Sequence, residues 1–246
     1  MPRFYVDLPL APKETFELPA GVAHHAVAVL RLRPGEPVTL FNGRGGEYRA
    51  RLVDCSVKSA RAEILGFDAR EAELPFRVTI AQGLPAADKM DWAVEKAVEL
   101  GAAALQPLAT TRSVVRLAGE RATRRRGHWQ AIAQAAAEQC GRNRVPQIHE
   151  LATLEAWLAC LPEGGVRLWA CPRSSQFLTA MAAPEPDTPV HLVIGPEAGL
   201  SDTEEAALRD AGFQAVSLGE RILRTETAAL AALAMLSAVW GAAAQS

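Results

Sequence analysis

The residues best suited to chemistry lie between His191 and Thr227, a stretch reading HLVIGPEAGLSDTEEAALRDAGFQAVSLGERILRTET. An apolar run ending at Ile194 meets Gly195, Pro196, Glu197, Ala198 and Gly199. Three chain-breaking residues in so short a span, directly after a buried strand, exceed what a plain connection needs. A second run, Gln214 to Leu218, leads into the loop Gly219 to Arg224 and on to Glu226. Together the two loops offer backbone amides, apolar walls at Leu218, Ile222 and Leu223, and the charged pair Arg224 and Glu226. Such a pocket suits a flat heteroaromatic ring held by backbone hydrogen bonds between aliphatic side chains. Cys171-Pro172-Arg173 forms a third loop, and Arg142-Asn143-Arg144 a turn rich in donors for phosphates and base edges.

Positioning these loops requires strands feeding helices. Val190 to Ile194 reads as a buried strand, Ser201 and Glu204 stand at capping-box spacing, and Gly212 marks the end of the helix they start. Gln214 to Leu218 is the next expected strand, and an Ala-rich helix follows from Thr225. Upstream, Phe76 to Gln82, Ala102 to Leu108 and Val166 to Ala170 read as strands. Met90, Ala93, Val94, Ala97 and Val98 follow the period of an amphipathic helix ending near Gly101, and Leu151 to Leu161 reads as another helix. A further helix opens on Arg121, Arg124, Arg125 and Arg126 and carries an apolar face from Trp129 to Cys140. Basic residues at a helix start oppose the macrodipole, by a few tenths of a kcal/mol per exposed charge, roughly, and a phosphate partner is one reason to place them there. Strands alternating with helices predict an α/β domain with a parallel sheet, whose ligands bind beyond the carboxyl ends of the strands.

Residues 1–67 follow a different rhythm: short apolar runs such as Pro37 to Phe41, Tyr48 to Val53 and Ala60 to Leu65, with turns at Asn42-Gly43 and Gly45-Gly46. A small barrel-like β domain is expected, with one helical patch from Ala23 to Leu30. Arg31, Arg33, Arg44, Arg49 and Arg51 form a basic cluster there able to touch phosphates. The charged segment Asp68 to Pro75 is the expected linker, dividing the chain into domains at 1–70 and 75–246.

Formal net charge is -2, which argues against a whole-molecule polyanion binder, but residues 75–150 hold eleven basic side chains against seven acidic. A basic middle is compatible with a local nucleic-acid footprint. The four cysteines and five histidines lack metal-ligand spacing, so no metal is expected. The start lacks a secretory pattern, and a reduced, cytoplasmic protein is the expectation. Ala228 to Ala244 is uncharged, yet mostly alanine and without basic anchors on both sides, so a buried helix is expected rather than a membrane span. No phosphate-cradling GxxxxGK[ST], dinucleotide GxGxxG in a suitable context, or GxSxG elbow is present, which weakens the ATP, NAD and serine-hydrolase readings.

The stretches IGPEAGLSDTE, LGERILRTETAA, EQCGRNRVP and DKMDWAVEKAVELG, with the β-rich amino-terminal region, resemble the ribosomal small-subunit RNA methyltransferase E family of the SPOUT superfamily over essentially the whole chain. The resemblance implies a PUA-like RNA-binding domain followed by a methyltransferase domain with a carboxyl-terminal trefoil knot. It also implies a homodimer that uses S-adenosylmethionine to methylate N3 of one uridine in 16S rRNA. Matched position by position, the cofactor residues are Pro172, Ile194, Gly195, Pro196, Glu197, Gly199, Leu218, Gly219, Ile222, Leu223 and Arg224. Where the family loop reads GPEGG this chain has Ala198, which would be strained by about 1 kcal/mol if the position required positive φ.

For the reaction, Arg224 or Arg142 is expected to stabilise negative charge developing on the uracil carbonyls, and Glu226 or a water to accept the N3 proton. Glu226 pairing with an arginine to organise the loop is the alternative. Arg31, Arg33, Arg124, Arg125, Arg142, Asn143 and Arg144 are the expected RNA contacts. Two rival functions stand beside this one: a SPOUT methyltransferase acting on another RNA position, and a noncatalytic RNA-binding ribosome assembly factor.

Overall fold

The computed structural model describes residues 1–56, 59–86 and 88–243. These divide into two compact units, Met1–Glu73 with Ala137–Val145, and Leu74–Ala136 with Pro146–Ser246. The division between residues 73 and 74 falls inside the expected linker. The return of residues 137–145 to the first unit is a second crossing that a two-range reading does not contain.

The first unit is a five-stranded sheet in the order β1-β3-β4-β5-β2. Its strands are β1 (Arg3–Tyr5), β2 (Thr15–Glu17), β3 (Pro37–Phe41), β4 (Glu47–Cys55) and β5 (Ala60–Asp68). β1 runs parallel to β3, and the other ladders are antiparallel. Period-two alternation puts Ala50 and Leu52 of β4 and Ala62 and Ile64 of β5 into one core with Phe4 and Leu40. The expected helical patch is a short helix, α1 (Ala20–His24), continued by a π-helical turn over His25–Val29. Gly46 in the β3–β4 turn has φ +65°, and a Cβ there would lie 2.8 Å from the Asp68 carbonyl oxygen, so a side chain at this position would be strained.

The second unit is a parallel sheet in the order β12-β10-β11-β6-β7-β8, with β9 pairing beside β8 on β7. In chain order it contains β6 (Arg77–Gly83), α2 (Lys89–Glu99), β7 (Ala104–Ala109), α3 (Gly119–Cys140), β8 (Gln147–Ile148), β9 (Ala152–Thr153), α4 (Leu154–Ala159) and β10 (Val166–Ala170). Then follow β11 (Pro189–Ile194), α5 (Asp202–Asp210), β12 (Gln214–Val216) and α6 (Thr225–Ala243). The expected helix over Leu151 to Leu161 is shorter. Ala152 and Thr153 extend to pair with Leu108 and Ala109, and the Thr153 hydroxyl caps α4 by accepting from the Ala156 amide at 3.2 Å. The strand expected to reach Leu218 stops at Val216, because Ser217 turns to exchange backbone bonds with Gln176 and Leu178. The capping box of α5 forms as its spacing predicts, and Gly212 ends that helix at φ +78°.

Helix α6 packs much of its apolar face within its own unit: Leu233, Leu236 and Trp240 are buried, and the Trp240 indole donates to the Met181 carbonyl at 2.9 Å. Among the described residues no helix is long and apolar enough to cross a membrane, and no cluster of His, Cys, Asp and Glu could hold a metal ion.

One buried group links this core to pH. His191, on β11, is enclosed against the Trp157 ring with a centroid separation of 5.9 Å, and neither ring nitrogen has a hydrogen-bond partner among the described residues. Burial, assisted by Arg167, holds its pKa below the ordinary histidine value. The unfolded chain therefore takes up a proton first as pH falls. The stability this group contributes is fully present above about pH 6.5 and is lost below it. His191→Leu should reduce the drop in urea-unfolding free energy between pH 7 and 5.5 by up to about 1 kcal/mol; an unchanged drop would remove His191 from the account.

Candidate active site

Because β12, β10 and β11 are adjacent and parallel, their carboxyl ends lie on one edge of the sheet, with Ala170 registered against Val216 and Trp169 against Val193. The loops leaving those ends, 171–173, 195–199 and 217–224, enclose a cavity of about 380 Å³. Pro172 lines it from the first loop, and Gly195 to Gly199 from the second after Ile194. Leu218, Gly219, Ile222, Leu223 and Arg224 line it from the third. The third loop belongs to neither helix nor strand, so no regular ladder consumes its backbone groups.

A buried hydroxyl joins the loops. Thr225 Oγ1, in the first turn of α6, donates to the Gly195 carbonyl at 2.5 Å and accepts from Gln82 Nε2 at 2.8 Å. Gln82, the penultimate residue of β6, is registered against Ile194 and is fully buried. At the next residue, a Cβ on Gly83 would stand 2.8 Å from the Pro196 nitrogen, so glycine there permits the close approach of the second loop. Left-handed backbone in that loop falls at Gly199, φ +71°, while Ala198 is not among the residues with positive φ. The strain that alanine could have introduced does not arise.

Charged groups surround the cavity in specific pairs. Arg112 lines it and donates to the Leu200 carbonyl at 2.9 Å, and Arg173 bridges to Glu205 at 2.5 Å. Glu197 accepts from Lys89 Nζ at 2.9 Å and from the Ala86 amide at 3.0 Å. Burial pushes the Glu197 carboxyl up, but these two donors outweigh it and hold the group below the ordinary carboxylate value. Glu226 stands behind Thr225 with its side chain 13% exposed. Its Oε2 is buried without a hydrogen-bond partner among the described residues, and the Lys89 ammonium lies 3.8 Å away. A buried acceptor left unfilled costs about 1–3 kcal/mol, so this atom is not neutral to the fold.

Every residue expected at the cofactor site lines the cavity, and Arg224 is exposed at it. The expected arginine partner of Glu226 is instead Lys89. Two expected RNA contacts require correction: Arg142 is only 3% exposed and Asn143 is fully buried. The Arg142 guanidinium is held by Glu73, with Nε donating at 2.9 Å, and Asn143 bonds Arg3 Nη2 at 2.8 Å and the Arg70 carbonyl at 2.5 Å. Their donors therefore fasten the 141–144 turn within the first unit, and the charge-stabilising role expected of Arg142 loses its support. Arg144, Arg31, Arg33 and Arg124 are exposed, and Arg125 is partly so. Gln82, Thr225, Lys89 and Arg112 were not anticipated; a buried amide at a strand's carboxyl end is the one signal that could have revealed Gln82.

Residues 72–237 match the profile of an RNA methyltransferase domain, and residues 18–65 that of an RNA methyltransferase PUA domain. The chain is 32% identical over 246 residues to the ribosomal RNA small subunit methyltransferase E of Bacillus subtilis, covering 96% of each chain. The structure is similar to that of a ribosomal RNA small subunit methyltransferase E from Neisseria gonorrhoeae, solved bound to S-adenosyl methionine. There the TM-score is 0.92 at 39% identity, over 98% of this chain and 99% of the other. A methyltransferase from Legionella pneumophila, also solved with that molecule bound, gives 0.89 at 33% identity over 96% of each chain.

Two substitutions separate what holds these loops from what merely occupies them. Thr225→Val should lower the urea-unfolding free energy by about 1–3 kcal/mol, since it leaves the Gly195 carbonyl and the Gln82 amide without a shared partner. Ala198→Gly should destabilise by less than about 1 kcal/mol, through unfolded-state entropy, because there is no strain for glycine to relieve. A stabilised Ala198→Gly protein would contradict the geometry.

Proposed function

The chain belongs to the ribosomal RNA small subunit methyltransferase E family, S-adenosylmethionine-dependent enzymes acting on rRNA, and from that premise we propose that it methylates N3 of one uridine in 16S rRNA. The observation that carries the reading is the convergence of three loops on one cavity whose lining includes the exposed Arg224.

The residues present fit the cofactor. The cavity falls within the range of small-molecule sites, roughly 300–1,000 Å³, and its walls are mainly apolar. Ile194, Leu218, Ile222 and Leu223 would hold the adenine ring, and glycines 195, 199 and 219 bring backbone close to it. When bound, S-adenosylmethionine supplies an electrophilic methyl group on a sulfonium sulfur. The chain's own work is then to orient the uracil and accept a proton. With the cofactor held there, the N3 electron pair freed by loss of the proton would be what receives the methyl group, so the residues around the uracil have to place N3 and take up its proton. Arg224 is placed to stabilise negative charge on the uracil carbonyls, and Glu226, directly or through a water, accepts the proton. Arg224 ends the loop after β12 and Glu226 lies in the first turn of α6, two residues on, and holding both in one short segment supplies the orientation on which such a displacement depends.

Residues 1–70 are proposed as the RNA-binding domain and 75–246 as the catalytic one. Exposed Arg31, Arg33, Arg124, Arg125 and Arg144 serve as phosphate contacts. The trefoil knot belongs to the same proposal, supported by a chain path from β11 past β10 to β12. So does the homodimer, favoured by Val239 of α6, which keeps 38% of its surface. The cytoplasm, where ribosomes are assembled, is the proposed location, with the small subunit as partner.

Incubating small-subunit particles with the protein and methyl-labelled cofactor, then digesting the rRNA to nucleosides, should yield label in a single N3-methyluridine. Label on a ribose or on another base would overturn the assigned position, and no label at all would overturn the activity.

A further inference from the structure

Lys89 enters none of the roles described so far, although it opens α2 where DKMDWAVEKAVELG begins. Its ammonium is anchored by Glu197 Oε1 at 2.9 Å, and the same oxygen takes the Ala86 amide at 3.0 Å. On its other side, at 3.8 Å, stands the Glu226 oxygen, which has no hydrogen-bond donor among the described residues. One cation therefore spans a carboxylate of the cavity-lining loop and a carboxylate of the first turn of α6. Both ends are restrained: Glu197 by two donors, and the start of α6 by the Thr225 hydroxyl bond to Gly195.

We propose that Lys89 is a positioning residue for methyl transfer, its ammonium fixing the place of the Glu226 carboxylate so that Glu226 stays available to accept the proton leaving uracil. The inference rests on the function proposed above and adds a residue to it. The task asks only for a fixed positive charge standing between two carboxylates, which a guanidinium at this position can also supply. Lys89 acts through Glu226 and needs no contact with RNA. Loss of its charge should then affect the transfer step and leave cofactor affinity nearly untouched.

The test compares wild type, Lys89→Met, Lys89→Arg, Glu226→Gln and the Lys89→Met/Glu226→Gln double variant. Thermal unfolding is measured on each, with calorimetric titration of S-adenosylmethionine and single-turnover methylation of small-subunit particles at saturating cofactor. Lys89→Met should lose about tenfold or more in single-turnover rate while its cofactor Kd changes less than about threefold. Lys89→Arg should recover most of the rate, and the double variant should be no slower than Glu226→Gln alone, because the two residues act as a unit. A full rate in Lys89→Met, a loss carried wholly by cofactor Kd, or additive losses in the double variant would each overturn the proposal. If Lys89→Met fails to fold, Lys89→Arg decides: a rate as low as that of Glu226→Gln in a folded protein with intact cofactor binding refutes it. A wild-type protein that transfers no methyl group overturns the underlying function, and this inference with it.

Discussion

Thr225 Oγ1 is a single buried oxygen at which the end of β6, the loop after β11 and the first turn of α6 meet. A hydroxyl can donate once and accept from more than one side, so one threonine gives a hydrogen bond to the Gly195 carbonyl and takes one from the Gln82 amide, which also donates to the Gly83 carbonyl. Around this joint the second loop closes against β6 at Gly83, and α6 starts where Arg224 is exposed at the cavity and Glu226 stands next to Lys89. The loops can be open in backbone and still fixed in place because their ends are held by the sheet and by this bond.

The charged groups around the cavity are held in pairs. Arg173 lies against Glu205, Lys89 against Glu197, and Arg112 spends its donors on loop carbonyls. Each pairing restrains a loop at modest energetic cost, since partly exposed pairs contribute little to stability by themselves. The Glu226 oxygen is the exception: no hydrogen-bond donor among the described residues fills it, and the Lys89 ammonium stands 3.8 Å away.

The second unit's sheet was readable because central parallel strands are continuous apolar runs, as in Val190 to Ile194, and because Ser201, Glu204 and Gly212 punctuate the following helix by local chemistry. The cavity loops were readable because glycine and proline after a buried strand have few structural reasons to be there. What stayed hidden was non-local. Arg142 invited an exposed reading because arginines are mostly exposed, and only the fold brings Glu73, 69 positions upstream, onto its guanidinium. The Lys89 and Glu226 contact likewise has no expression in spacing along the chain. The extension of Ala152 and Thr153 was masked by an apolar pattern that suits helix and short strand alike, until pairing with β7 decides.

The central claim is that the cavity above β10, β11 and β12 is the methyl-donor site, and methyl-labelled isoleucine and leucine NMR during titration with S-adenosylmethionine tests it most directly. Resonances of Ile194, Leu218, Ile222 and Leu223 should shift together and saturate with a single Kd, while Leu40, Leu52 and Ile64 in the core of the first unit stay in place. Saturable shifts confined to the first unit, or none at the four cavity residues, would contradict the account.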